Sequence, residues 1–287
     1  MTEIKLCRSA LYMPAINARA IAKSRTLPCD CVILDLEDAV APERKRDARQ
    51  AALAALAEGG FAPKLVVIRA NGLETEWGEA DLIACATAGA DAVLLPKVET
   101  VESLVRVRAV LDKAGARAML PLWAMIETPR AIVNAPALAA LPGLEAFVLG
   151  VNDLALGLRV PSGEASPTIE LSLALAVLAA RAEGKLVLDG VYNDIADSVG
   201  FAASCETARR LGFDGKSLIH PSQIEAANRA FAPSEAAIAE ARGIVAAFEA
   251  PEAQGKGVIA YQGRMVERLH LAEAQRLLGT LERLTIG

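Results

Sequence analysis

Cys31-Val32-Ile33-Leu34-Asp35-Leu36-Glu37-Asp38 reads as a β-strand that is apolar on both faces and then runs into acids. A strand with one face in water alternates apolar and polar residues, whereas a parallel strand covered by helices on both faces does not. Residues 9–13, 31–36, 65–69, 92–95, 119–126, 146–150, 186–188 and 215–219 all have this uniform character. Between them lie stretches with helical periodicity, among them 43–57, 77–88, 101–114, 169–182 and 194–211. Strand followed by helix, repeated eight times at a spacing of roughly 25–40 residues, predicts an α/β fold closed into a (β/α)8 TIM barrel. The rival is a doubly wound open sheet. It is disfavoured because neither G-x-G-x-x-G nor G-x-x-x-x-G-K-[ST] occurs in the chain.

The barrel accounts for residues 1–232, and 233–287 remain. A helix opened by Pro221 is followed by one over 234–249, with Ser234 as N-cap. A Gly-rich break over 251–263 leads to a last helix near 267–284. These extra C-terminal helices are expected to form a lid over their own barrel or a swapped tail over a neighbour's; a loose solvated appendage is the alternative.

With 53% apolar residues, 287 residues can fill one large core. A net charge of −5 argues against nucleic acid, which calls for a basic patch. The longest apolar run, 171–182, is too short to span a bilayer, and residues 1–8 lack a signal core, so a cytoplasmic location is the default expectation. Five scattered cysteines without a C-x-x-C pair suggest buried free thiols. Only two histidines, His220 and His270, weigh against a zinc site or a Ser-His-Asp triad.

A barrel places chemistry at the C-terminal ends of its strands. Six expected ends carry a charged or imidazole group: Asp35-Leu36-Glu37-Asp38, Arg69-Ala70-Asn71, Pro96-Lys97, Glu127-Thr128-Pro129, Gly150-Val151-Asn152-Asp153 and His220-Pro221. Glu127 and Asp153, on neighbouring ends with no histidine or thiol nearby in sequence, suit a hard cation. Mg²⁺ takes one or two protein carboxylates and completes its shell with water and substrate oxygens. Bound there, it would stabilise a developing enolate or alkoxide. Arg69 would grip a substrate carboxylate with its planar fork, and Val151 and Asn152 would offer backbone N–H donors. Helix capping, or ion pairing with Arg69 or Lys97, is the alternative role for the two acids.

Several of these stretches resemble the citrate lyase β-subunit-like family. They are residues 8–15 (RSALYMPA), 34–40 (LDLEDAV), 67–71 (VIRAN), 89–91 (GAD), 95–97 (LPK), 126–129 (IETP) and 211–221 (LGFDGKSLIHP). The resemblance runs in order along nearly the whole chain and extends to malyl-CoA and citramalyl-CoA lyases and the Mg²⁺-dependent aldolase superfamily. It implies a homotrimeric Mg²⁺ barrel that cleaves a 3-hydroxyacyl-CoA thioester to an acyl-CoA and a 2-oxo acid. It implies Glu127 and Asp153 as metal ligands and Arg69 as the carboxylate-binding residue, with Glu37 and Asp38 supporting the pocket and its metal-bound water. Many relatives carry a C-terminal G-x-M-[IV]-D stretch on a lid, whose aspartate acts in acid/base catalysis. Here residues 263–267 are GRMVE, so Glu267 takes that place with one extra methylene.

The expected reaction is a retro-Claisen cleavage in which a metal-ordered water or a carboxylate such as Asp38 removes the hydroxyl proton. Two other readings remain open: an aldolase for free 2-keto-3-deoxy acids, and a citrate lyase β subunit dependent on an acyl-carrier protein.

Overall fold

The computed structural model describes residues 7–117, 119–161, 166–250, 253 and 255–286. Met1–Leu6, within the segment read for a signal core, and Pro251, Glu252 and Gln254 of the Gly-rich break lie outside them.

Eight parallel strands close into a barrel in chain order: β1 (Ser9–Pro14), β2 (Cys31–Asp35), β3 (Leu65–Arg69), β4 (Ala92–Leu95), β5 (Leu122–Ile126), β6 (Leu144–Leu149), β7 (Leu186–Asp189) and β8 (Gly215–Leu218). The ring is sealed by β1 against β8, with Ser9 opposite Lys216 and Leu11 opposite Leu218. No edge remains, which removes the open-sheet rival. A lysine inside β8 is tolerated because Asp189, its register partner on β7, forms a buried ion pair with it.

Around the strands run α1 (Ala18–Ser24), α2 (Lys45–Glu58), α3 (Gly78–Ala86), α4 (Val101–Lys113), α5 (Pro129–Ala139), α6 (Val151–Leu158), α7 (Pro167–Ala182), α8 (Ser198–Leu211) and α9 (Ile224–Phe231). Thr100, Thr128, Ser166 and Asp197 cap α4, α5, α7 and α8 through side-chain oxygens that accept first-turn N–H groups. The expected strand over 119–126 starts later, at Leu122. Met119 has a left-handed backbone (φ 60°), and Leu120 N–H donates to Arg117 O in a turn. Among the described residues no helix is long and apolar enough to cross a membrane. All five cysteines are buried and free.

Two buried layers hold the barrel. One, including Leu34, Ile68, Leu82, Leu104 and Phe147, lies between strands and helices. The other, made of strand residues and Cys7 just before β1, fills the barrel interior. Fully burying a Leu or Phe in such a layer stabilises the fold by roughly 1.5–3 kcal/mol.

The chain divides into two compact units, Met1–Phe231 and Ala232–Gly287. The second contains α10 (Glu235–Glu249), an antiparallel pair of β9 (Val258–Tyr261) and β10 (Arg264–Glu267), and α11 (Arg268–Ile286). Ala241, Ile244, Val266 and Ala274 form its own small core.

Candidate active site

Successive strand side chains point to opposite faces. The interior cluster takes Cys31 and Ile33 from β2, Leu65 and Val67 from β3, Trp123 and Met125 from β5, and Ala146 and Val148 from β6. One further step in each series gives Asp35, Arg69, Glu127 and Gly150. At the C-terminal end of the barrel the inward-facing series therefore changes from apolar to charged.

Arg69 is buried, and its Nε and Nη2 donate to Asp35 Oδ1 and Oδ2 at 2.6 and 2.7 Å. Its third nitrogen, Nη1, lies 2.9 Å from Glu37 Oε2 and 3.5 Å from Asp38 Oδ2. Burial works against the guanidinium charge, but the Asp35 hydrogen bonds and charge, with Tyr12 and Glu37, outweigh it and raise the pKa further. The expected two-pronged grip on substrate is thus occupied on one edge by Asp35, and Nη1 is the prong that faces the acids. Asp35 also accepts from Glu37 N and Ala39 N, fixing the turn after β2. Lys45 Nζ donates to Leu36 O and Glu37 O, and Asn71 Nδ2 donates to Leu36 O. Glu37 is consequently held from both sides of its own backbone.

The Glu127-Thr128-Pro129 stretch resolves into the residue just after β5, the N-cap of α5 and its first helical residue. Glu127 is 3% exposed, and its Oε1 accepts the Lys97 backbone N–H at 2.6 Å. Lys97 presents that N–H from a left-handed conformation (φ 49°), a strained setting for a side chain of its kind. Opposite, Gly150 lies so close that a Cβ there would overlap the Glu127 carboxyl. Burial is the main cause that pushes the Glu127 pKa up to about 7. The Lys97 N–H opposes it, and the neighbouring charges of Glu37 and Asp153 add to it. Burial likewise raises the Glu37 pKa.

Asp153 stands in the first turn of α6, whose N-cap is Gly150, and its side chain is 39% exposed. Lys97 Nζ approaches Asp153 Oδ2 at 4.0 Å and Glu37 Oε1 at 3.4 Å. Val151 and Asn152 supply the first amides of α6, where a helix has N–H groups without intrahelical acceptors. The Asn152 side chain exchanges hydrogen bonds with Asn193 at 2.8 and 3.3 Å, tying this turn to the segment after β7. Asp38 is exposed on the rim. A cavity of about 320 Å³ adjoins the cluster, lined among others by Glu37, Asp38, Asn71, Trp77 and Lys97.

Glu127, Asp153, Arg69, Glu37 and Asp38 are thus drawn together on the consecutive ends of β2 to β6. His220 instead caps the turn after β8, accepting the Ser222 N–H on Nδ1. Glu267 belongs to the second unit, at the end of β10, where its N–H donates to His270 Nδ1. Sequence reasoning missed Asp35 as the Arg69 partner, the Lys97 N–H and Tyr12, whose ring faces Arg69 Cζ at 4.7 Å. A carboxylate and an arginine ending neighbouring strands at matched register, Asp35 opposite Arg69, would have been the signal for the first.

The acids fit a hard cation. Glu37 Oε2 is buried without an aligned hydrogen bond, and the Glu37, Glu127 and Asp153 charges crowd one another. Among the described residues no three acid, thiol or imidazole groups converge as a ready-made ligand set. Two carboxylates from the protein, with water and substrate oxygens in the other positions, is the Mg²⁺ pattern.

Comparison with known proteins identifies the family. The chain matches the HpcH/HpaI aldolase/citrate lyase family over residues 8–221. It is 44% identical over 275 residues to a (3S)-malyl-CoA thioesterase of Cereibacter sphaeroides, covering 96% of this chain and 94% of the relative. It is 34% identical over 281 residues to the citrate lyase β subunit of Escherichia coli, covering 96% and 93%. A crystal structure of CitE from Mycobacterium tuberculosis, in complex with magnesium, acetoacetate and coenzyme A, superposes with a TM-score of 0.79 at 30% identity, covering 97% of this chain and 99% of that one. A closed barrel with acids at its strand ends, and relatives of this identity along almost the whole chain, make this protein a member of the HpcH/HpaI aldolase/citrate lyase family of enzymes.

Proposed function

We propose that this protein is a Mg²⁺-dependent lyase that splits a short 3-hydroxyacyl-CoA thioester of the malyl type into an acyl-CoA and a 2-oxo acid. The observation that carries the reading is the buried Glu127 carboxylate, fixed between the Lys97 N–H and Gly150 and electrostatically coupled to Asp153. The magnesium in the related CitE structure supports the choice of metal.

Glu127 and Asp153 would hold the ion. When bound, it supplies Lewis-acid stabilisation of charge developing on the substrate oxygens. Arg69 Nη1 donates to the substrate carboxylate while Asp35 keeps the guanidinium in place. The Val151 and Asn152 amides donate to oxygen at the mouth of α6. Asp38, exposed at the rim and 3.5 Å from Arg69, accepts the hydroxyl proton as the carbon–carbon bond breaks.

A second reading, hydrolysis of the same thioester, is favoured by the 44% identical malyl-CoA thioesterase. Incubation of the purified protein with malyl-CoA and Mg²⁺ separates the two. Acetyl-CoA with glyoxylate supports the lyase, and free CoA with malate supports hydrolysis. If neither pair forms while a free 2-keto-3-deoxy acid is cleaved, the thioester reading fails altogether.

A further inference from the structure

Tyr12 lies on β1, with its ring 4.7 Å from Arg69 Cζ. The buried members of the interior cluster are between 0 and 7% exposed, whereas Tyr12, packed against them, is only partly buried. Its phenol therefore closes the apolar interior and reaches the space at the strand ends.

The hydroxyl has an unusual partner. Among the described residues its hydrogen bond goes to Met125 Sδ, at 3.8 Å. Arg69 Nη1 approaches the same sulfur at 3.5 Å. A thioether is a weak acceptor, and a phenol at this depth ordinarily finds an oxygen or nitrogen. The nearby carboxylates face other groups: Asp35 accepts from Arg69 and two backbone amides, Glu127 accepts from Lys97, and Glu37 Oε2 lies 2.9 Å from Arg69 Nη1. Two donors from different strands thus converge on one weak acceptor, and for the Tyr12 hydroxyl that sulfur is the partner, whereas Arg69 Nη1 also faces Glu37. A carboxylate oxygen entering at that point would accept from both.

We propose that the Tyr12 hydroxyl is a second substrate-binding donor, which together with Arg69 Nη1 receives the carboxylate of the 2-oxo acid in place of the Met125 sulfur. This rests on the 2-oxo-acid reading above. It gives Arg69, whose other edge is held by Asp35, a partner in recognising the carboxylate. A neutral donor to a charged acceptor contributes enough that its loss weakens binding about ten- to a hundredfold.

The test is calorimetric titration of pyruvate and glyoxylate into the full-length protein with saturating Mg²⁺, comparing wild type with Tyr12→Phe. The variant keeps the ring against Arg69 and loses only the hydroxyl. We expect ten- to a hundredfold weaker 2-oxo-acid binding, with Mg²⁺ affinity and melting temperature unchanged. In wild type, the 2-oxo acid should also perturb the tyrosine near-ultraviolet absorption, and that change should vanish in the variant. Equal 2-oxo-acid affinity in the two proteins overturns the role of Tyr12 and leaves the lyase reading intact. Wild-type protein that binds Mg²⁺ but neither 2-oxo acid overturns the lyase reading and this contact with it.

Discussion

Asp35 and Arg69, opposite each other in the β2–β3 register, are joined by two parallel hydrogen bonds inside the barrel. This pair anchors a cation that is buried among the acids of the site. Removing Asp35 leaves a desolvated guanidinium short of its main partner, a change that costs about 3 kcal/mol or more. Asp35→Asn is therefore expected to lower the urea midpoint at unchanged slope. The double variant Asp35→Leu/Arg69→Met should be less destabilised than the two single changes added together. Strict additivity would show that the two residues do not act as a pair.

Glu127→Gln keeps the shape of the side chain and its acceptor for the Lys97 N–H, but loses the charge. Mg²⁺ binding, followed calorimetrically, is expected to fall at least a hundredfold, and turnover should no longer respond to added metal. Wild-type Mg²⁺ affinity in this variant would remove Glu127 from the ligand set.

The raised Glu127 pKa makes stability depend on pH. Between the usual 4.5 and about 7, the metal-free native state keeps a proton that the unfolded chain has lost. Stability should therefore fall as pH rises through that window, by at most about 3 kcal/mol, and level off above it. Saturating Mg²⁺ stabilises the carboxylate form and should flatten the decline, as should Glu127→Gln. Urea midpoints at pH 5 and pH 8 measure the difference. A metal-free wild type with the same pH response as Glu127→Gln would contradict the assignment.

Gly150 has φ −105°, which any residue can adopt, so alanine there adds no backbone strain. The added methyl meets the Glu127 carboxyl instead. Gly150→Ala is expected to retain the barrel by circular dichroism while weakening Mg²⁺ binding about ten- to a hundredfold, as displaced supports of metal ligands commonly do. Unaltered metal affinity would mean that the Glu127 carboxyl moves aside without consequence.

The fold was legible because parallel strands leave a strong mark: short apolar runs, each ending in a polar group. Arg69, Glu127 and Asp153 stood out for the same reason, as charges immediately after such runs. Other features are written in space rather than along the chain. Nothing around Lys97 announces that its backbone N–H will meet a carboxylate thirty residues on. Pro136 interrupts the pattern of helix α5, and α6 has only eight residues, so both leave a weaker mark in the sequence than the longer helices. Of the β9–β10 hairpin, β9 falls inside the stretch over 251–263 read as a Gly-rich break, and β10 falls between that stretch and the last helix. The hairpin turn, Gln262-Gly263, has positive φ at both positions (49° and 75°), a conformation usually announced by Asn-Gly or Asp-Gly.

The charged groups of the site come from one arc, β2 through β6, while β7 ends on Asp189, paired with Lys216, and β8 leads to the capping His220. The molecule thereby separates what must stay from what can vary. Grafting this chemistry onto another barrel would require all five of these strand ends, because Asp35 holds Arg69, Lys97 holds Glu127 and Gly150 abuts Glu127. Of the other three ends, β1 still reaches the site through Tyr12, which leaves β7 and β8 as the strands whose ends lend no charge to the cluster.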